Sequence, residues 1–167
     1  MDVNEITELF RRLTYGVYVV GVAGGEERDA FTAAWVMQTS FDPLLLALSI
    51  NPEHASHPLL HAGRGFTVNV LKQSQLELAR GFGTRSGRDE DKLEGIRWRP
   101  GRTGAPILED ALAYFDCELA GHTPAGDHEL VLGRVIGGEV LDRSAPPLTY
   151  ADTGDMDGSG ALYPRKF

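Results

Sequence analysis

One cysteine, Cys117, is all that this chain of 167 residues contains. A lone thiol excludes an internal disulfide and a thiolate metal cluster, and makes a reducing cytoplasm the expected compartment. Basic charge is also scarce. Sixteen lysines and arginines stand against 24 aspartates and glutamates, a formal net charge of −8. Nucleic-acid binding needs a basic footprint, and none is present. The longest near-apolar run, Leu44 to Ile50, falls far short of the ~20 residues that cross a bilayer. The stretch from Met1 to Leu13 lacks the basic segment and apolar core of a secretory signal, so no membrane contact is expected. No GxGxxG, phosphate-loop lysine or GxSxG pattern occurs, which disfavours Rossmann cofactor binding, phosphoryl transfer of that type and α/β-hydrolase chemistry.

What is present is a globular composition, 42% hydrophobic and 24% charged, at a length that suits one domain. Twenty glycines and nine prolines favour a turn-rich fold with strands over a helical bundle. Ile6, Leu9, Phe10 and Leu13 fall at helical spacing, which predicts an amphipathic helix over 4–13 with Asn4 as its cap. A valine-rich strand over 17–22, a turn at Gly24-Gly25-Glu26 and a second strand over 29–36 follow. Leu44–Ile50, bounded by Asp42-Pro43 and Asn51-Pro52, reads as a strand buried on both faces. A short helix over 57–62 precedes a strand over 66–71. Ser74-Gln75-Leu76-Glu77 fits a capping box for a helix from Gln75 to about Arg80. Loops are expected over 81–90 and 101–106, with one helical turn at 91–95. Strands over 111–120 and 130–141 are joined by 121–127, and residues 151–167 form an acidic, glycine-rich tail. Strands outnumber helices and do not alternate with them. The pattern predicts an antiparallel barrel with peripheral helices rather than a doubly wound parallel sheet.

Few side chains suggest chemistry on their own. His57 and His61 stand four apart, but no HExxH pattern is present and the nearby carboxylate is Glu53, so no metal site is expected. Asp152 to Gly160 looks like a calcium loop. Placing Gly158 at the obligatory loop glycine puts Pro164 where the bidentate glutamate belongs, so a solvated acidic loop is expected instead. Cys117 lies in an apolar alternating segment and reads as a buried structural thiol. The informative stretch is 29–71. Thr32, Ala33, Ala34, Thr39 and Ser40 cluster there, with Ser56 at the start of a short helix. Small side chains let a flat ligand approach the backbone, and a helix start suits a phosphate. An ordinary strand and turn would explain the same residues.

The chain resembles the flavin reductase-like family, the FMN-binding split β-barrel proteins. The resemblance rests on Thr14-Tyr15-Gly16-Val17-Tyr18-Val19-Val20, on Phe31-Thr32, on Ser40-Phe41-Asp42-Pro43-Leu44 and on Ser49-Ile50. It continues through Ala55-Ser56-His57-Pro58, Phe66-Thr67-Val68-Asn69-Val70-Leu71, Leu78-Ala79, Phe82 and Asp91-Lys92-Leu93-Glu94-Gly95. Late in the chain it includes Ala125-Gly126-Asp127-His128 and Pro147-Leu148-Thr149-Tyr150. It covers about residues 7–150 in order and implies a mainly β, Greek-key-like split barrel acting as a homodimer with one FMN per subunit near the interface.

By that resemblance, Thr32, Ala33, Ala34 and Trp35 line the isoalloxazine, and Met37, Gln38 and Thr39 meet its pyrimidine edge. Ser49, Ile50 and Asn51 run beside the ribityl chain, Ser56 and His57 face the phosphate, and Phe82 and Lys92 close the pocket. His128 is expected near the nicotinamide of NADH or NADPH. The implied activity is an NAD(P)H:flavin oxidoreductase that keeps its reduced FMN or passes it to an oxygenase. The alternative is an electron-transfer flavoprotein with little NAD(P)H turnover. Two departures stand out. Trp35 is bulky where the family more often has a smaller residue or phenylalanine, and the tail after Tyr150 is longer and more acidic than in free reductases.

Overall fold

A computed structural model describes residues 2–164; positions 165–167 of the expected tail lie outside the described residues. The first helix, α1 (Val3–Phe10), starts one residue before the expected cap. Asp2, not Asn4, caps it: its carboxylate accepts from the amides of Asn4 and Glu5, while Glu5 accepts from the amide of Asp2. Ile6 is buried, whereas Leu9, Phe10 and Leu13 remain about half exposed. The apolar face of this helix is therefore only partly absorbed by the core.

The strands are β1 (Tyr18–Gly24), β2 (Glu27–Ala33), β3 (Val36–Ser40), β4 (Leu45–Ile50), β5 (Gly65–Val70), β6 (Trp98–Pro100), β7 (Pro106–Leu108), β8 (Ala113–Ala125) and β9 (His128–Val140). Seven of them form one antiparallel sheet in the order β2-β1-β5-β8-β9-β4-β3, and β6 pairs with β7. The curled sheet is a split β-barrel. Helix α2 (His57–Gly63) packs on β1, and α3 (Leu76–Thr84) packs on β2. Among the described residues, no helix is long and apolar enough to cross a membrane.

Alternation explains the two cores. Val20 and Val22 of β1 face inward with Phe31, Leu46, Leu48, Ile50, Phe66, Val68 and Val131. Val17 and Val19, on the other side, pack with Ala79, Phe82, Leu93, Leu108 and Leu148. A strand buried on both faces reads as a continuous valine run for this reason. Leu44–Ile50 meets expectation in its middle, where Ala47 is buried on the face opposite Leu46 and Leu48, but not at its ends. Leu46, Leu48 and Ile50 enter the barrel, but Leu44 is exposed and Ser49 only half buried.

Several boundaries differ from the sequence reading. The strand expected over 29–36 is two strands, interrupted at Ala34-Trp35. The connection expected over 121–127 is mostly strand. Thr123, Pro124 and Ala125 pair with Leu130, Glu129 and His128, and the turn is confined to Gly126-Asp127. Gly126 has φ +69, which only glycine adopts without strain. Helix α3 is entered through a 3-10 turn at Gln73–Gln75 and continues past Arg80 to Thr84, and Ser74 caps nothing. The loop at 101–106 lies inside the short β6–β7 hairpin.

Cys117 sits inside the barrel, and burial together with Asp116 pushes its thiol up to about 12. Iodoacetamide at pH 8 is thus expected to label the folded chain at least about a hundredfold more slowly than the urea-unfolded chain, because the thiolate is the nucleophile. Equal rates would mean that the barrel opens at Cys117.

Candidate functional site

The break between β2 and β3 builds the main cavity. There the chain leaves its β1 partner and turns into β3. Val36 donates to the Ala34 carbonyl, and Ser49 donates to the Trp35 carbonyl (3.0 Å each). No backbone carbonyl among the described residues accepts from the amides of Ala34 and Trp35. Two donors beside small side chains are what a flat ligand with a polar edge can use. Ala34 and Trp35 line a cavity of about 620 Å³, large enough for a cofactor of flavin size.

Thr32, Ala33, Ala34 and Trp35 form one wall, and Ser49, Ile50 and Asn51 at the end of β4 form another. The Thr32 hydroxyl donates to the Ala79 carbonyl at 2.6 Å, which ties this wall to α3. His128, the first residue of β9, lies against Trp35 with ring centroids 5.0 Å apart and planes tilted by 53°. Its Nδ1 is 2.8 Å from Asp127, and that contact holds the Asp127 carboxyl below the usual carboxylate range. The imidazole is thereby oriented, and its other nitrogen has no hydrogen-bond partner among the described residues.

These eight expected residues come together. The other seven do not line this cavity. Met37 and Gln38 border a separate apolar groove with Tyr18, Val36, Leu44 and Phe115. Thr39 is exposed on β3. Phe82 is buried in the outer core with Leu93 and Leu148. Ser56 is fully buried and donates to Asp29 at 2.5 Å. Its hydroxyl is thus already engaged, and it does not line the cavity. Lys92 is likewise buried, with Nζ 3.3 Å from the other Asp29 oxygen. Burial lowers its pKa and Asp29 pulls it back up. His57 bonds Glu129 instead of facing the cavity.

Sequence reasoning missed the opposite side of the site. Thr7, Phe10 and Arg11 of α1, Tyr15, and the tail residues Tyr150, Asp157, Ser159, Leu162 and Tyr163 complete the lining. Phe10 and Tyr163 stack at 5.4 Å. The Tyr150 hydroxyl donates to Asp157 (2.8 Å) and lies 2.9 Å from the Ser159 hydroxyl. Burial raises the Tyr150 pKa. The acidic loop therefore folds over the cavity, and Asp155 pairs with Arg11 at 3.1 Å. The usable sequence signal was Phe10, an aromatic on a helix face too apolar for solvent. His54 was also missed. Its ring packs on Phe31 with centroids 4.6 Å apart and planes tilted by 44°, and burial, aided by Lys92, lowers its pKa.

The sequence matches the model of the flavin reductase like domain over residues 10–159. The chain belongs to that family. As a flavin reductase-like protein it is similar to solved and curated flavoproteins. It is 36% identical over 147 residues to the high molecular weight rubredoxin of Moorella thermoacetica, covering 87% of this chain and 64% of that protein. It superposes on the flavin reductase component of a bacterial two-component tryptophan halogenase with a TM-score of 0.81 and 33% identity, covering 91% and 95% of the two chains. The NADH:FAD oxidoreductase of Streptomyces globisporus C-1027 gives 0.82 at 26% identity, covering 90% and 89%. The flavin reductase-like chain spans under two thirds of the Moorella protein and about a quarter of the diflavin flavoproteins of Nostoc and Synechocystis that it also matches.

Proposed function

We propose that this chain is an NAD(P)H:flavin oxidoreductase that binds FMN in the cavity between Ala34 and the tail. The observation that carries the reading is the pairing of a small-residue wall, whose two amides have no backbone partner among the described residues, with a cavity-lining imidazole, His128, packed on Trp35. When bound, the flavin supplies a two-electron acceptor for hydride from the nicotinamide, and the protein needs no strong acid or base of its own. The amides of Ala34 and Trp35 donate to the polar edge of the ring system, where negative charge grows on reduction. Ser49 and Asn51 offer hydrogen bonds along the chain that leaves the ring. Trp35 and His128 bound the face where a nicotinamide stacks, which holds the two rings at reacting distance. The tail residues Leu162 and Tyr163 exclude water from the remaining side.

In this reading the chain works in the cytoplasm as one flavin-binding unit that includes its tail. The groove beside β3 supports a homodimer: Met37 and Leu44 border it and Phe41 lies nearby, all three exposed apolar side chains. The second copy would bring Met37, Gln38 and Thr39 to the interface rather than to their own cavity. Reduced flavin passes to an oxygenase, a role supported by the similarity to a reductase component of a two-component halogenase. A second reading is favoured by one feature. Trp35 and the folded tail narrow the nicotinamide side, which suits an electron-transfer flavoprotein with little NAD(P)H turnover.

Anaerobic titration of the FMN-loaded protein with NADH and then NADPH separates the two. Bleaching of the visible flavin band well above the rate for free FMN is the expected result. His128→Ala is expected to raise the nucleotide KM about tenfold while changing FMN affinity less. A bound flavin that dithionite bleaches and neither nucleotide does would replace the first reading by the second.

A further inference from the structure

Behind β9 lies a cluster of titratable groups that the flavin cavity does not use. Helix α2 presents His57 and His61 one turn apart on a single face. β9 presents Glu129, which alternation turns away from the cavity that its neighbour His128 lines. β8 adds His122, diagonally across the ladder from Glu129, because His122 pairs with Val131 and Pro124 with Glu129. Three imidazoles thus converge on one carboxylate. His57 Nε2 is 2.7 Å and His61 Nε2 2.8 Å from the same oxygen, Oε2 of Glu129. His122 Nδ1 is 2.6 Å from Oε1. The rings of His57 and His61 lie 4.6 Å apart, and those of His61 and His122 4.8 Å apart.

We propose that His57, His61 and Glu129 form a divalent metal site of the zinc type, with His122 positioning the carboxylate from its second oxygen. The ligand atoms of the first three all lie within 4.8 Å of one another. Ligands held by zinc at about 2.0–2.1 Å stand roughly 3.3 Å apart in a tetrahedron, so small side-chain rotations convert the hydrogen-bonded cluster into a coordination shell. The donor set selects the ion. Two imidazoles and one carboxylate suit zinc and its transition-metal neighbours, whereas calcium and magnesium prefer oxygen. Burial is graded as a binding site requires. The Glu129 side chain is 13% exposed and those of His57 and His61 20% and 28%, while His122 at 50% stands at the opening. An ion can enter there and keep a water as its fourth ligand.

No metal pattern is legible in the sequence because the carboxylate is not near the histidines in the chain. Glu129 lies 68 residues beyond His61, and only the β4–β9 pairing, which sets Glu129 opposite Ile50, brings it under α2. Occupancy would tie α2 to the β8–β9 hairpin, the element that carries His128 into the flavin cavity. The site is distinct from that cavity, since neither His57, His61, His122 nor Glu129 lines it.

The test is zinc titration of the untagged, chelator-treated, FMN-loaded protein by calorimetry, with thermal unfolding as a second readout. One equivalent of zinc is expected to bind and to raise Tm. His61→Ala and Glu129→Gln are each expected to weaken binding at least about a hundredfold and to abolish the Tm rise. His122→Ala is expected to weaken it about tenfold, in the range seen for groups that orient a ligand. Absorption of bound cobalt beyond the flavin band reports the same site without relying on stability. Failure of the wild-type protein to bind a stoichiometric ion would overturn the proposal. So would His61→Ala binding zinc as tightly as the wild type, with its fold confirmed by circular dichroism. Neither result would bear on hydride transfer, which the nucleotide titration decides separately.

Discussion

Asp29→Ala is expected to cost the chain about 3–5 kcal/mol of folding stability, read as a shift in the urea midpoint with an unchanged slope. The reason is the company Asp29 keeps. One carboxylate oxygen lies 3.3 Å from the Lys92 ammonium and accepts from the amide of Ala30 at 2.8 Å. The other accepts from the Ser56 hydroxyl at 2.5 Å. All three side chains are buried. Gly87 closes over them: a Cβ there would stand 2.5 Å from the carboxylate, so even alanine would not fit. Removing the carboxylate leaves a buried ammonium with no counter-charge and a hydroxyl with no acceptor, and each carries a desolvation penalty. The double variant Asp29→Ala with Lys92→Met is expected to recover more than half of the loss, since breaking a buried pair is worse than replacing it. A double variant no more stable than the single would mean that Lys92 is solvated, and the burial argument would fail.

Truncation after Met156 is expected to weaken flavin binding at least about tenfold, equivalent to about 1.4 kcal/mol. It removes Asp157, Ser159, Leu162 and Tyr163 from the cavity lining. It also removes the Phe10–Tyr163 stack, of a kind worth about 0.5–1.5 kcal/mol. The cut leaves Leu148 and Thr153, which are buried, and Met156, which packs on the outer core. The barrel should therefore keep its melting temperature to within a few degrees. Fluorescence titration with FMN measures the affinity directly. Full affinity in the truncated chain would show that the tail covers the cavity without contributing to binding.

The legible parts of the fold were those written in short periods. The valines of β1 and the apolar run of β4 show themselves because alternation or continuous burial is visible within six residues. The wall at Thr32–Trp35 and His128 were found through the resemblance, since nothing local distinguishes Ala33-Ala34 from an ordinary strand. What escaped depends on distant packing. The turn at Ala34-Trp35 splits an unbroken β-pattern because Ser49 of β4, fourteen residues beyond Trp35, captures the Trp35 carbonyl. Ser56 reads as a helix-start phosphate donor until Asp29 is found beside it, 27 positions away. The tail reads equally as solvated loop, as a cover for the pocket or as an arm to a neighbouring subunit, because its acidity hides Leu162 and Tyr163 and the partner of Tyr163, Phe10, lies far away in the chain.

The two-residue turn at Gly126-Asp127 decides more than the direction of a hairpin. Successive residues of β9 point to opposite sides, so the strand is a two-sided key with an imidazole cut on one edge and a carboxylate on the other. Sliding that strand by a single position against β4 would send Glu129 into the cavity beside Trp35 and turn His128 toward the histidines of α2. The cavity would acquire a fixed negative charge, and the cluster behind it would lose its anion. The tight turn at Gly126 fixes how β9 starts against β8, and the pairing with β4 then holds His128 and Glu129 on their own sides of one strand.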